Sequence, residues 1–356
     1  MRKVFAQQWT RQDKTRQDRV YYLDFLRIIS IFCVLVIHVV STNGLNSSVG
    51  SFHWKVLYFY WSISEFSVPV LFMISGALFL NPARDIQIQR LWKKNILRIV
   101  VAFIFWSALY APVKVWKDFR CFEAESLLRC FFDGYAHLWF LYALIPLYIA
   151  VPFLRVIVRD KELLKYFLFL TFIYSILFPS IQSFPIFGIT KRITVNLNME
   201  IAMFSRCSFY FVLGYYMHIK TFLKRDKRLV YFLGFAGALF AVFETYLYDG
   251  KFGGYDVYMS IHCVFQSCGV FLFGKELQKN LWRPKIGELT IFLADLSFGV
   301  YLVHMFVNGF FFHVLGLTTF CCTPFLSVPI LTIFVFMISC CISFLLHKLP
   351  FCKYVV

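Results

Sequence analysis

The chain has 356 residues, of which 60% are hydrophobic and 15% are charged. About a quarter of the residues of a soluble domain are charged, so this composition excludes an ordinary soluble protein. The formal net charge of +17 does not point to a nucleic-acid partner, because the basic residues lie between apolar runs and not on one face of a folded domain. The sequence therefore predicts an integral membrane protein.

Apolar runs of about 20 residues, the length that a helix needs to cross the hydrocarbon core, recur with short polar gaps between them. They predict an all-α, polytopic membrane bundle of about ten transmembrane helices, at residues 20–41, 56–80, 96–116, 138–154, 166–182, 201–219, 229–247, 255–274, 290–314 and 325–347. One membrane domain over 20–348 is expected between a cytoplasmic N-terminal segment, 1–19, and a cytoplasmic tail, 349–356. The first span is too long for a removable signal peptide, so it is expected to remain as helix one.

The basic residues are divided unequally between the two sides of these spans. With the N-terminus in the cytoplasm, 26 Lys and Arg residues fall on the cytoplasmic side and 9 on the opposite side, and Arg27 inside helix one completes the 36. This distribution is the positive-inside pattern of membrane proteins. It predicts that both termini are cytoplasmic.

Helix one contains three ionisable side chains, each of which is costly in a membrane unless it faces a partner or a cavity. Asp24 and Arg27 are three residues apart, and His38 follows Arg27 by eleven residues. This spacing places Arg27 and His38 on one helical face, about 16 Å apart along the axis. In one interpretation Arg27 binds an anion near the cytoplasm and His38 accepts a proton deeper in the membrane. In the alternative, Arg27 pairs with Asp24 and His38 bonds to a neighbouring helix.

The second span and the loop after it contribute further candidates. Glu65 lies inside the span, and Ser75 lies among small residues that favour close helix packing, with a substrate contact as the alternative. Lys93, Lys94 and Arg98 form a basic group at the predicted cytoplasmic boundary. This group either binds phosphates or anionic lipid headgroups, or serves only to set the topology.

The later spans contain four more candidates with a substrate or structural role. His137 lies beside the interfacial Trp139, which makes an anchoring role as plausible as a substrate contact. Arg206 lies near a span end, where it either snorkels to the interface or faces a substrate. Tyr301 and His304 share one helical face. For His304, an interhelical hydrogen bond is favoured over a role in a site.

The eleven cysteines have no metal-ligand spacing, and most lie in apolar spans, where a thiol behaves as a small apolar group. No metal site is therefore predicted. Cys121 and Cys130 share a predicted outward loop and would pair only in an oxidising compartment. The sequence shows neither an internal repeat nor a nucleotide-binding glycine loop, so a repeat-built transporter and a membrane ATPase have no positive support.

Several segments of the chain resemble the acyltransferase-3 family of membrane acyltransferases, and in particular its bacterial members that O-acetylate surface polysaccharides. The resemblance covers nearly the whole chain and depends on the order of its segments as much as on any one of them. They are DFLR at 24–27 with the ten-residue gap between Arg27 and His38, FMISG at 72–76, HLWFL at 137–141, FVLGY at 211–215 and YLVH at 301–304.

The resemblance implies an O-acyltransferase of the inner membrane, most similar to O-acetyltransferases. Acetyl-CoA, or another acyl-CoA, would be the cytoplasmic donor, with no permanently bound cofactor, and the acceptor would be a hydroxyl of a cell-surface glycan or of its lipid-linked precursor. Arg27 would contact an anion and His38 would be the general base. The CoA phosphates would bind Lys93, Lys94 and Arg98, although an asparagine stands where the family has the first arginine of a pair.

The competing hypothesis is a transporter or flippase that exports a glycan or an acylated intermediate. Glu65, His38 and Arg206 would then form a polar path through the membrane instead of a reaction centre. Consumption of acyl-CoA would distinguish the two classes. The sequence leaves open the acceptor sugar, the acyl group, a covalent acyl-enzyme intermediate and the oligomeric state.

Overall fold

The computed structural model describes residues 19–44, 47–82, 84, 86–118, 123–177, 179–180, 199–247, 258, 260–277, 284–350, 352 and 355–356. All regular elements in these ranges are helices, and no strand occurs there. The longer helices are α1 (Tyr21–Gly44), α2 (Phe52–Ser64), α3 (Ser67–Phe79), α4 (Leu97–Asp118), α5 (Ala124–Asp133), α6 (Trp139–Ile157), α7 (Lys161–Phe172), α8 (Met199–Ile219), α9 (Lys224–Leu247), α10 (Ile261–Leu277), α11 (Pro284–Gly309) and α12 (Pro324–Lys348). The predicted all-α class is confirmed.

Seven helical stretches of the described residues are long and apolar enough to cross a membrane. They are Tyr21–Thr42, Phe52–Phe79, Ile88–Val115, Ala124–Ile157, Lys224–Tyr246, Ile286–Val314 and Pro324–Lys348. The other three predicted spans, 166–182, 201–219 and 255–274, fall on α7, α8 and α10, which are not among the seven. A multi-pass membrane bundle is therefore confirmed, whereas the count of ten is not.

The predicted span 56–80 consists of two helices with a break between them. α2 ends at Ser64 and α3 begins at Ser67. Pro69 lies in the first turn of α3, where a proline is tolerated because the N–H it lacks would have no partner within the helix. The break leaves Glu65 inside the bundle, where it is 3% exposed.

Helix α1 is surrounded by other helices of the bundle. It packs against α2, α3, α10, α11 and α12. Leu26 and Leu35 are completely buried, and the carboxylate residue Asp24 is only 6% exposed. The ionisable side chains of α1 therefore meet protein groups and internal cavities, as a charged group in a membrane requires.

Two glycines bring α3 and α8 into backbone contact. A Cβ atom on Gly76 would lie 1.7 Å from the carbonyl oxygen of Phe211, and one on Gly214 would lie 2.0 Å from the carbonyl oxygen of Met73. No side chain fits in such a space, and small residues at helix crossings allow this kind of close approach in membranes. The packing interpretation of the small residues near Ser75 therefore agrees with the structure at Gly76.

We expect Gly76→Ala to destabilise the bundle by about 1–3 kcal/mol, the usual cost of forcing a methyl group into a packed core. Gly309→Ala is the matched control, because nothing lies within 4 Å of the Cβ position at Gly309, which is also helical. Thermal unfolding of the purified protein in detergent, followed by size-exclusion elution, measures both. Equal midpoints for the two variants would contradict the close contact of α3 with α8.

Candidate functional site

The first turns of α1 contain a buried carboxylate with two basic neighbours. Arg27 Nη1 lies 3.2 Å from Asp24 Oδ1, and Arg19 Nε lies 3.7 Å from Asp24 Oδ2. Arg19 also pairs with Asp295 of α11. The predicted pairing of Arg27 with Asp24 is thus present, and about 29% of the Arg27 side chain stays accessible.

Arg27 and Arg98 of α4 lie close enough to interact electrostatically with each other and with Tyr148 of α6. The Tyr148 side chain interacts with Ser75 of α3 and lies near both guanidinium groups. Arg98 also lies 5.1 Å from the centre of the Phe298 ring, a cation–π distance. Four helices therefore bring Arg27, Ser75, Arg98 and Tyr148 together, and we call this group the arginine cluster. Two like charges held together in this way favour an anionic ligand.

Arg98 differs from the two lysines that the sequence groups with it. Its Nη2 donates a hydrogen bond of 2.7 Å to the main-chain oxygen of Val356, the last residue of the sequence, which is fully buried. Lys93 and Lys94 are exposed on the π-helical turn Leu91–Ile96, whose two end residues are buried instead. The three basic residues therefore do not form one inward-facing group.

Three histidines from distant parts of the sequence meet in the opposite half of α1. The ring centres of His38 and His304 are 5.0 Å apart, those of His137 and His304 are 5.0 Å apart, and those of His38 and His137 are 6.3 Å apart. His137 is 2% exposed and His304 is 0% exposed. We call this group the histidine cluster. The described residues contain no group of three or more His, Cys, Asp or Glu side chains that could hold a metal ion.

Hydrogen bonding determines which nitrogen of His304 carries the proton. His304 Nδ1 lies 2.6 Å from the carbonyl oxygen of Tyr301, one turn earlier in α11. A carbonyl oxygen can only accept, so Nδ1 carries the hydrogen and Nε2 keeps its lone pair. Among the described residues Nε2 has no hydrogen-bond partner. His304 is therefore bonded within its own helix and presents a buried base to the cluster.

Polar contacts hold the histidine cluster between α1 and α11. Asn308 donates to the carbonyl oxygen of His38 at 3.3 Å and to Thr42 Oγ1 at 2.9 Å. The Tyr301 hydroxyl donates to the carbonyl oxygen of His137. Because these bonds use main-chain oxygens, they fix the backbone of both histidines and leave the imidazoles of His38 and His137 available for other partners.

His38 and His137 line a cavity of about 220 Å³. Aromatic and aliphatic side chains line the cavity in equal number, and the aromatic ones are Trp61, Trp139, Phe140, Tyr258 and Tyr301. Ring stacking at 5.7 Å between Trp139 and Tyr258 forms one side. An apolar pocket with a few convergent polar groups is the usual form of a small-molecule site. We call it the aromatic cavity.

A comparison with protein-family models finds the acyltransferase domain of the acyltransferase-3 family over residues 20–348, nearly the whole chain. The chain belongs to the acyltransferase-3 family. It is a multi-pass membrane acyltransferase. No curated protein and no solved structure matches the chain.

The acyltransferase has a second buried polar cluster around Glu65. His262 lies between two carboxylates, with Nε2 at 3.2 Å from Glu65 Oε2 and Nδ1 at 3.0 Å from Glu244 Oε2. These contacts tie the α2–α3 break to α9 and α10. Glu65 thus lies with His262 and Glu244, whereas His38 belongs to the histidine cluster.

Two of the predicted residues have side chains outside the part of the chain that the structure describes. Arg206 belongs to α8, but its side chain lies outside the described residues, as does Cys121, so their predicted roles stay predictions. Sequence reasoning missed Tyr148, Glu244 and His262. Glu244 and His262 are ionisable residues inside predicted spans and were detectable on that ground, whereas a tyrosine among 20 tyrosines carries no such signal.

Proposed function

We propose that this acyltransferase is an O-acetyltransferase of the inner membrane, with both termini in the cytoplasm. It moves an acetyl group from cytoplasmic acetyl-CoA to a hydroxyl of a cell-surface glycan or of its lipid-linked precursor. The observation that carries the proposal is the arrangement along α1, which has the arginine cluster near its first turns and the histidine cluster beside an aromatic cavity in its other half.

His38 is the general base of the proposed reaction. A sugar hydroxyl is a weak nucleophile until a base removes its proton during attack. The acceptor oxygen attacks the thioester carbonyl carbon while the hydroxyl proton passes to His38. The C–S bond then breaks, and His38 returns the proton to the departing CoA sulfur. Every atom and proton is accounted for without a covalent acyl-enzyme.

His304 assists His38 as a positioning residue. Its Nε2 lone pair is free among the described residues, and its ring centre is 5.0 Å from that of His38. Nitrogens lie on the rim of each ring, so a small rotation brings two of them within hydrogen-bonding distance. When His38 takes up the proton and becomes an imidazolium, its other N–H donates to His304 Nε2. This hydrogen bond orients His38 and stabilises its positive charge, as a carboxylate does in a catalytic triad.

The aromatic cavity supports a sugar acceptor. A sugar ring has apolar C–H faces and polar edges, and a wall of Trp61, Trp139 and Tyr258 offers flat apolar surfaces with polar tips. His38 lines the same cavity, so a hydroxyl at the edge of a bound ring would meet the base.

The arginine cluster supports an anionic donor that enters from the opposite end. Arg27 and His38 are about 16 Å apart along the helix axis, a depth that the flexible pantetheine arm of acetyl-CoA would have to cross. Arg98 shares this cluster with Arg27, and its present contact with Val356 would be exchanged for the donor. Lys93 and Lys94 would contribute only at the exposed surface.

The test is acetyl transfer in membranes from cells that express the protein, compared with the same cells carrying an empty vector. With radiolabelled acetyl-CoA, we expect release of CoA and label in extractable glycan only when the protein is present. CoA release is required, because a transporter or flippase would move a glycan without consuming the thioester. If the glycan carries no label and no CoA is released, the result contradicts the proposed function.

A further inference from the structure

A cationic cavity lies at the start of α1, at the end of the helix opposite His38. Its volume is about 590 Å³, within the range of cofactor and small-molecule sites. The lining comes from the first residues of α1, the end of α8, the start of α9 and the end of α10, and comprises Val20, Tyr22, His218, Lys220, Thr221, Phe222, Lys227, Lys275 and Glu276. We call it the lysine cavity.

Lys275 gives the cavity a fixed positive charge. Its Nζ donates to the carbonyl oxygens of Met217, His218 and Lys220 at 2.9, 2.7 and 2.8 Å. These oxygens belong to the end of α8 and the residue after it, where helical carbonyls lack partners within the helix. The ammonium group is therefore held in one place and contributes charge to the wall.

The other two lysines are held at the cavity wall by different contacts. The Lys220 ammonium lies 5.3 Å from the ring centre of Tyr216 and 5.0 Å from that of Phe222. Lys227 Nζ lies 2.6 Å from Glu276 Oε2. Three ammonium groups against one carboxylate leave a net positive lining, which suits a ligand with several negative charges, such as a polyphosphate.

We propose that the lysine cavity binds the phosphorylated nucleotide end of acetyl-CoA. This inference rests on the proposed function, because it names the place of the donor's phosphates. The positive-inside pattern assigns this end of the bundle to the cytoplasm, where acetyl-CoA would enter. Lys93 and Lys94, which the sequence favours for this role, are exposed on a turn elsewhere.

The lysine cavity and the arginine cluster lie at the same end of α1. The Tyr22 hydroxyl contacts His218 in the cavity wall, and Arg84 lies near both His218 and Asp24, the partner of Arg27. From Tyr22 to His38 the helix rises about 24 Å. A donor with its nucleotide in the lysine cavity would therefore direct the diphosphate that joins nucleotide and arm toward the arginine cluster and extend the arm toward His38.

The test is equilibrium binding of radiolabelled acetyl-CoA to the purified protein in nanodiscs of phosphatidylcholine, which contain no anionic lipid. Lys220→Gln keeps the main-chain oxygen that Lys275 bonds and removes only the side-chain charge. We expect it to raise the Kd for acetyl-CoA about three- to tenfold, the effect of losing one partly exposed charged contact. Glu276→Gln removes the opposing charge and is expected to lower the Kd. Lys224→Gln, an exposed lysine outside the cavity, is the matched control and leaves it unchanged.

Competition by acetyl-phosphopantetheine, which lacks the nucleotide, gives the second readout. Its Kd is expected to stay the same in Lys220→Gln and Glu276→Gln.

If all three variants bind acetyl-CoA as the parent does, or if Lys93→Gln alone weakens binding, the lysine cavity is not the nucleotide site. If Lys220→Gln acts only in nanodiscs with anionic lipid, the cavity holds a lipid headgroup and the inference is overturned. If the parent itself does not bind acetyl-CoA, the proposed function fails as well.

Discussion

Replacing His38 with alanine is expected to lower the turnover of acetyl transfer by about 100- to 10,000-fold, the usual contribution of a general base. The reason is that the acceptor hydroxyl then attacks the thioester without losing its proton. His38→Gln tests the same point more strictly, because glutamine fills much of the space and forms hydrogen bonds but takes up no proton. Turnover is measured as CoA release and glycan labelling in membranes, at equal amounts of inserted protein.

His313→Ala is the control for the His38 variants. His313 is an exposed histidine on the π-helical turn that follows α11, outside the histidine cluster. We expect it to keep the parental rate, and the KM for acetyl-CoA to stay near the parental value in all three variants, because His38 is remote from the arginine cluster. Parental turnover in His38→Gln would remove His38 from the chemistry and leave at most a structural role.

Helix one is the part of the site that the sequence predicts best. Its polar residues depend on local spacing alone, because eleven residues along a helix return to the same face whatever surrounds it. The structure accordingly shows the pairing of Arg27 with Asp24 and the separate location of His38 deeper in the bundle. Helical class and approximate spans were predictable for the same reason, since they follow from hydropathy over single segments.

Contacts between helices are the part that the sequence does not predict. His38, His137 and His304 are separated by 99 and 167 positions in the chain, and no periodicity predicts that α1, α11 and the turn before α6, Ala136–Leu138, meet. The same limit explains why Lys93 and Lys94 are grouped with Arg98 by sequence, although Arg98, which is also exposed, bonds the buried Val356. A π-helical turn changes the angular spacing of successive residues, so neighbours in sequence face different sides.

Replacing His304 with phenylalanine is the prediction that depends most on this tertiary arrangement. Phenylalanine keeps a planar aromatic side chain, although a somewhat larger one, in a position with 0% exposure, but it has no lone pair to accept an N–H of His38. A buried donor left without a partner costs about 1–3 kcal/mol, which corresponds to a rate about 5- to 160-fold lower. The loss is expected in kcat, with the KM for acetyl-CoA unchanged, since His304 does not line the aromatic cavity or the lysine cavity.

His304→Gln separates positioning from packing. The glutamine side-chain oxygen accepts a hydrogen bond, as Nε2 of His304 does, so this variant is expected to retain more activity than His304→Phe. A role in packing alone predicts the reverse order, because phenylalanine is the closer match to imidazole in shape and glutamine would bring an extra buried amide that needs partners. Thermal unfolding of both variants therefore accompanies the rates. If His304→Phe turns over acetyl-CoA as fast as the parent while His304→Gln is impaired, the base at His38 works without help from His304.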